Sequence, residues 1–350
     1  MTGLAMVTGA NGHVGYNLVR ALAMRGQRVR ATVRNKDDPR TAGPLRAMAG
    51  VEVASLDVCE EQDFADAAKG VDTLFHLAAT YKLHTSGAAD DEQMVRDSVQ
   101  GARSAILAAA RNGIRKVVLT SSIVTLPLVK PGENKPTEAD WRADLEVPYY
   151  RAKVLGERAA WQLAGEHKVD LVTILPGFVL GPPFLRRTTS LDIIEGAMLG
   201  IFRFGTADVS LATPVDVRDL VDALILAAEK PCEGRFIVAN DDTISYLELT
   251  RMMHRIDRRV PAAPFILPDF VFRFTDFIDW FNAKTLGAPR IFTTQSALGA
   301  LGRLNIASNE KARRELGWTP KIPFEQCLAE TMSALKELRA AEKAERRRKA

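Results

Sequence analysis

The chain has 350 residues, an apolar fraction of 47% and a formal charge of +4. That length suits one large α/β domain with an appended lobe, and the apolar share is ordinary for a soluble globular protein. The charge excess is local: residues 336–350 carry seven basic and three acidic side chains, so the balanced remainder offers no surface for nucleic acid.

Three scattered cysteines, Cys59, Cys232 and Cys327, show neither metal-ligand spacing nor an even set for a disulfide framework. No metal site is expected, and a reducing compartment, the cytoplasm, is. Met1-Thr2-Gly3 runs directly into the first predicted strand, so no secretory leader is expected.

Leu4-Ala5-Met6-Val7-Thr8 is a short apolar run that predicts a buried first strand. Gly9-Ala10-Asn11-Gly12-His13-Val14-Gly15 follows, and a helical pattern covers residues 16–24. Strand, glycine turn and helix in that order make a dinucleotide-binding entrance. Gly9 permits the tight turn, Gly12 lets the backbone approach a pyrophosphate, and Gly15 lets the helix pack close on the strand. Free N–H groups from Asn11 through His13 and Val14, with the helix dipole, favour phosphates.

Residues 28–33 read as strand two. An acidic residue at its end would take the ribose 2′-hydroxyl of NAD. Here Arg34 stands there, followed by Asn35 and Lys36, and a guanidinium grips a 2′-phosphate with two parallel hydrogen bonds. NADP(H) is favoured; the nearby Asp37 and Asp38 keep NAD(H) open. Residues 51–56 form strand three, closed by Asp57-Val58. Asp57 can accept from an adenine amino group while the Val58 N–H meets a ring nitrogen, or it can cap a helix over residues 60–68. Residues 71–77 form strand four. Leu77, Ala78 and Ala79 let the chain pass a ribose and nicotinamide, Thr80 is a candidate for substrate, and His76 reads as a core histidine.

A long Ala-rich helix over residues 94–112 stops at Asn112-Gly113. Lys116–Thr120 is strand five; it puts Thr120 beside the cofactor and delivers Ser121, Ser122 and Ile123 to the carboxyl edge of the sheet, where open α/β sheets bind ligands. After a loop with Pro127, Pro131 and Pro136, Tyr149 to Lys153 opens another helix. Residues 169–175 are a continuous apolar strand, as a parallel strand covered on both faces should be. The alternation predicts an α/β fold: a Rossmann-type doubly wound parallel sheet with a smaller C-terminal α/β substrate lobe. The expected division is residues 1–176, 177–335 with some elements returning to the main sheet, and a basic tail over 336–350. Within the lobe, a strand over 213–217, helices over 218–229 and 324–338, a strand over 235–238 and a helix over 245–257 are expected, the last with a Ser245/Glu248 capping box.

Tyr149 and Lys153 are four apart on a helix and share one face. A phenol, with a pKa of about 10, is a poor acid or base at neutral pH, and a neighbouring ammonium favours its phenolate. The same lysine can hold the nicotinamide ribose. A serine hydroxyl beside the phenol can hydrogen-bond a carbonyl oxygen. Ser122, Tyr149 and Lys153 thus predict hydride transfer between nicotinamide and a substrate carbon, with Tyr149 moving the proton.

On these motifs the chain resembles the extended short-chain dehydrogenases/reductases over residues 4–330. Thr8 to Gly15, with glycines spaced three and three, matches that family's cofactor turn, and Ser122, Tyr149 and Lys153 match its triad. Pro176-Gly177-Phe178-Val179-Leu180-Gly181-Pro182 matches its segment passing the nicotinamide, which implies cofactor contact at Pro176 and Val179 and substrate contact at Phe178. Pro214 to Leu220 matches a later strand-to-helix signature. Ala31-Thr32-Val33-Arg34 and Gly181-Pro182-Pro183-Phe184 are similar to the dihydroflavonol-4-reductase-like and 3β-hydroxysteroid-dehydrogenase-like branch, and Leu175 stands where many sugar-nucleotide enzymes carry arginine. Ser98 departs from the family's usual asparagine on the long helix, which puts a structural or proton-relay role there in doubt.

The resemblance implies an NADP(H)-dependent oxidoreductase interconverting a ketone and a secondary alcohol on a fairly apolar, dihydroflavonol-, steroid- or acyl-like substrate. It also implies a homodimer formed through the helices after strands four and five. An NAD-dependent sugar-nucleotide epimerase or dehydratase and a non-catalytic dinucleotide sensor are the alternatives. Residues 264–281 hold Phe265, Phe270, Phe272, Phe274, Phe277, Trp280 and Phe281, with Phe270, Phe274, Phe277, Ile278 and Phe281 on one helical face. The charges and length do not suit a membrane span. A lid packed on the nucleotide domain, a wall of an apolar substrate pocket, and docking at a membrane interface aided by the basic tail all fit the pattern.

Overall fold

Nine strands are described: β1 (Leu4–Thr8), β2 (Val29–Val33), β3 (Val51–Ser55), β4 (Val71–His76), β5 (Lys116–Thr120), β6 (Leu171–Pro176), β7 (Phe178–Leu180), β8 (Pro214–Asp216) and β9 (Gly234–Val238). They come from a computed structural model that describes residues 3–78, 87–241 and 243–349. Seven form one sheet in the order β3-β2-β1-β4-β5-β6-β9, and every pairing in it is parallel. The helices are α1 (His13–Met24), α2 (Pro39–Arg46), α3 (Glu61–Ala67), α4 (Ala88–Asn112), α5 (Pro148–His167), α6 (Thr189–Met198), α7 (Val217–Glu229), α8 (Tyr246–Ile256), α9 (Thr275–Leu286), α10 (Thr294–Ala300) and α11 (Phe324–Lys349).

Alternation along β1 shows why the sheet is covered twice. Ala5 and Val7 join Leu18 and Leu22 of α1 and Leu220 and Leu224 of α7. Leu4 and Met6 join Phe64 of α3, Ile106 of α4 and Leu163 of α5. Successive strand side chains point to opposite faces, so a strand with helices on both sides must be apolar throughout. Strand order reverses between β1 and β4, which opens a crevice beyond their carboxyl ends.

The later chain is shared between two bodies. β7 and β8 pair in parallel as a small second sheet, and Phe178, Leu180, Leu191, Ile194, Leu249 and Met253 build the lobe core. Residues Cys327, Leu328, Met332 and Leu335 of α11 complete that core. α7 packs on α1 and β9 on β6, so this stretch belongs to the main sheet.

Several element boundaries differ from the sequence expectation. α1 starts at His13, so Gly15 lies inside the helix. α4 starts six residues early because its first turns are exposed; apolar periodicity appears only at Met94 and Val95, its first buried residues. Asp57 is not a helix cap: Glu60 occupies that position, and the Asp57 carboxylate accepts the Cys59 N–H at 3.0 Å. α11 runs unbroken through the basic tail. The aromatic stretch is not a packed lid. Its large side chains stay exposed, and the buried residues of α9 are Thr275 and Asp279. All three cysteines are free. Among the described residues no helix is long and apolar enough to cross a membrane, and no cluster of metal-ligating groups occurs.

His76 is buried and its Nδ1 lies 3.0 Å from Thr8 Oγ1. That hydroxyl already accepts the N–H groups of Leu77 and Ala78, each at 3.1 Å. It therefore donates to Nδ1, which only a neutral imidazole allows. Burial holds both His76 and His13 well below the usual histidine range, at about 4. Each ring protonates in the unfolded chain before it does in the fold. Its contribution is complete above the unfolded value and is lost as pH falls toward 4, by about 3 kcal/mol per ring. Urea denaturation between pH 7 and pH 4 should show this loss, and His76→Asn should remove about half of the histidine share of it.

Candidate active site

The turn after β1 is shaped by excluded side chains. Gly9 has φ +64°, and a Cβ there would sit 2.9 Å from Ala78 Cα. A Cβ on Gly15 would fall 2.3 Å from the Gly9 carbonyl oxygen. Ala10 N–H donates to Thr32 O at 3.0 Å and Gly12 N–H to Gly9 O at 2.8 Å, which fixes the loop across β1 and β2. The first helical bond of α1 is Tyr16 N–H to Gly12 O, 2.9 Å. The N–H groups of His13, Val14 and Gly15 precede it and point out of the helix start, a cradle for an anion.

The His13 imidazole meets Gly181 O at 2.6 Å and packs edge-on against Phe184. Asn17 Nδ2 donates to Pro183 O at 2.7 Å. Both side chains clip the lobe's first loop to α1, and only the His13 backbone remains for a phosphate. That loop also carries Arg186, which the sequence reading did not assign to the cofactor. Its Nη2 would lie 3.7 Å from a Cβ on Gly12, and the charge of Arg34, just after β2, acts on it. Burial and this repulsion hold the Arg186 guanidinium below its usual range. A guanidinium at the mouth of a helix N-terminus adds positive charge where the helix already favours an anion. Only tertiary structure joins residues 152 positions apart, so no local pattern marks Arg186.

At the opposite side of the crevice, Ser122 caps a 3-10 turn over Ile123–Thr125, its Oγ accepting from Val124 N–H at 3.3 Å. α5 packs on that turn. Tyr149 is buried in a cluster with Met94, Val95 and Val147, against which Val124 packs. Ser121 differs from Ser122 in being committed: its Oγ donates to Glu157 Oε2 at 2.6 Å. Glu157 is buried and also accepts from Thr173 Oγ1 at 2.9 Å and Arg235 Nε at 2.8 Å. Arg235 in turn donates to the carbonyls of Glu138 and Asp140 and stacks 3.7 Å from the Trp141 ring. Tyr149, Lys153 and Glu157 therefore line one face of α5 in steps of four. Burial lowers Lys153 to about 8, and the Glu157 carboxylate counteracts part of that fall. Lys153 also acts electrostatically on His76, which places its ammonium beside the end of β4.

Other expected residues divide by packing. Asp57 is exposed, and Val58 packs against the core on α4. Pro176 ends β6, and Val179 packs on the main core. Ile123 and Phe178 bury their side chains in apolar clusters. Ala79 and Thr80 lie outside the described residues. Ser98 Oγ donates to Ala152 O at 3.0 Å, so it ties α4 to α5 beside Lys153.

A model of the NAD dependent epimerase/dehydratase family matches residues 5–239. The chain belongs to this family. It is 35% identical to cinnamoyl-CoA reductase 1 of Petunia hybrida, over 67% of this chain and 71% of that protein. It is 31% identical to dihydroflavonol 4-reductase of Zea mays, over 69% and 71%. The crystal structure of gox2253 superposes with a TM-score of 0.79 at 26% identity, covering 96% of this chain and 98% of that one. As a member of the epimerase/dehydratase family it is an NAD(P)-dependent enzyme of carbonyl and CH–OH chemistry.

The residues present fit that cofactor. The cradle is kept clear by glycines whose Cβ atoms have no room. Thr120 Oγ1, at the end of β5, is buried without a partner among the described residues, which leaves it for a ligand hydroxyl or amide. Gly15→Ala should weaken dinucleotide binding more than tenfold, because the clash is with backbone that cannot rotate away. Coenzyme fluorescence titration measures this.

Proposed function

We propose that this protein is an NADP(H)-dependent reductase that interconverts a ketone and a secondary alcohol on a fairly apolar substrate. The observation that carries the reading is the α5 face: Tyr149 is packed against the turn that Ser122 caps, with Lys153 one turn further on. The Ser121 hydroxyl is held by Glu157, so Ser122 is the serine that offers a substrate oxygen a hydrogen bond. The two relatives named above are reductases by name, which supports reduction over epimerisation. Leu175 is fully buried with Ile123 and Ile237, and an apolar residue there gives a sugar diphosphate no charge to pair with.

When bound, the dinucleotide supplies the hydride at its nicotinamide. In the direction of reduction Ser122 orients the substrate oxygen, and Tyr149 gives it the proton as negative charge develops. The Lys153 ammonium stabilises the phenolate left behind and is placed to hold a ribose. Arg34 and Arg186 supply the positive charge for a 2′-phosphate and the neighbouring diphosphate.

NADPH should bind more tightly than NADH, and Arg34→Ser should reduce that preference by about tenfold or more. Equal binding of both coenzymes would remove the role given to Arg34. Tyr149→Phe should abolish turnover with ketone substrates while NADPH binding persists. The lysine must be charged to act, so turnover should decline as pH rises through about 8. Glu157→Gln should move that alkaline limb to lower pH, because it removes the carboxylate that favours the ammonium. A panel of aryl-acyl, flavonoid-like, steroid-like and sugar-nucleotide substrates, read by coenzyme absorbance, tests the substrate class.

A further inference from the structure

Helix α9 is inside out. Asp279 faces the body, where its carboxylate accepts the Ile291 N–H at 3.1 Å and pairs with Arg290 at 3.2 Å. Thr275 is buried beside it. These polar bonds fix which face of the helix is internal. The other face then presents Phe274, Phe277, Trp280 and Phe281 to solvent at 60%, 62%, 43% and 46% exposure. A helix that merely frayed would not bury an aspartate to hold phenylalanines outward.

Neighbouring elements extend the face. Thr206 N–H donates to Phe265 O at 3.1 Å, and Leu267 N–H to Thr206 O at 2.8 Å. That ladder sets the segment of exposed Phe204 beside exposed Phe265 and Ile266. The 3-10 turn with exposed Phe270 contacts both α9 and α10. Phe277 contacts the rings of Trp280 and Phe281 at 5.8 and 6.5 Å. Cations sit among the rings: Lys284 Nζ lies 5.1 Å from the Trp280 ring and the Arg203 guanidinium 4.7 Å from Phe204. No carboxylate pairs with Arg203, Lys284 or Arg273 among the described residues. Lys336 of α11 pairs with Asp257 at the end of α8, 2.6 Å apart.

We propose that this face docks the enzyme on an anionic lipid surface. Contiguous exposed aromatic area of this kind marks an interaction site. Rings flanked by Arg203, Arg273 and Lys284, with exposed Asp269 and Asp276 at the start of the 3-10 turn and of α9, suit the boundary between acyl chains and headgroups, where aromatic bodies insert and ammonium or guanidinium groups meet phosphate. An aromatic face and the cations set in it, Arg203 and Lys284, are two weak signals that add where either alone would be marginal. A second copy is a poorer occupant, because twofold pairing would bring the same cationic rings together. Docking would place the lobe against the phase in which an apolar substrate dissolves.

The test uses the full chain with vesicles of phosphatidylcholine alone and of phosphatidylcholine mixed with phosphatidylglycerol. Co-sedimentation should favour the anionic vesicles by about tenfold or more and weaken with added salt. Acyl-brominated lipid should quench tryptophan emission, and Trp280→Phe should remove that quenching. The paired substitution Phe274→Asp and Phe277→Asp, at exposed positions, should abolish vesicle binding and leave turnover of a water-soluble ketone unchanged. Absence of binding to both vesicle types would overturn the proposal. So would a concentration-dependent dimer that the same double substitution dissolves, since the face would then be covered by a second copy. Vesicle binding is read without turnover, so its failure is separate from failure of the reductase reading.

Discussion

Glu157 is the residue on which the geometry of the crevice rests. Its buried carboxylate joins Ser121 at the end of β5, Thr173 of β6 and Arg235 of β9. Three strands and one helix are thereby locked in register around a single anion. A buried ion pair is costly to assemble, and removing one partner strands the other charge at a cost of about 3–5 kcal/mol. The pair persists because its own polar atoms are bonded: Arg235 reaches two backbone carbonyls, Thr125 Oγ1 and the Trp141 ring as well. The consequence reaches the chemistry directly. Ser121 is taken, Ser122 is left to the crevice, and Lys153 keeps a carboxylate one turn below it that favours its charged form.

The second constraint lies between the two bodies of the molecule. His13 and Asn17 of α1 hold the Gly181 to Pro183 loop, and Thr331 Oγ1 of α11 accepts the Gly181 N–H at 2.9 Å. The cofactor cradle, the loop of the lobe and the last helix are thus one hydrogen-bonded unit. Arg186 rides on this loop and reaches the cradle from the lobe side. Phosphate recognition and lobe position are coupled through the same few residues, and the aromatic face of α9 belongs to that lobe.

Much of this was legible in the residues alone, because the signals are local. Glycine spacing after an apolar run, alternating strands and helices, and a tyrosine four residues before a lysine each report backbone or face geometry within one or two turns. Strand β5 and the capping box of α8 emerged as expected for that reason. Helix starts were harder: the first turns of α4 are exposed and carry no apolar period.

What the linear chain determined by itself was the order of elements, the glycine turn and the shared helix face of Tyr149 and Lys153, since each depends on neighbours a few residues apart. What only the tertiary structure decided was the hold of Glu157 on Ser121, the approach of Arg186 to Gly12, the engagement of His13 with Gly181, and the outward turn of the α9 aromatics. Each of those depends on a partner more than a hundred residues away or on a single internal carboxylate: Asp279 turns an apolar helix face to solvent, an outcome that hydrophobic periodicity read alone would place inside.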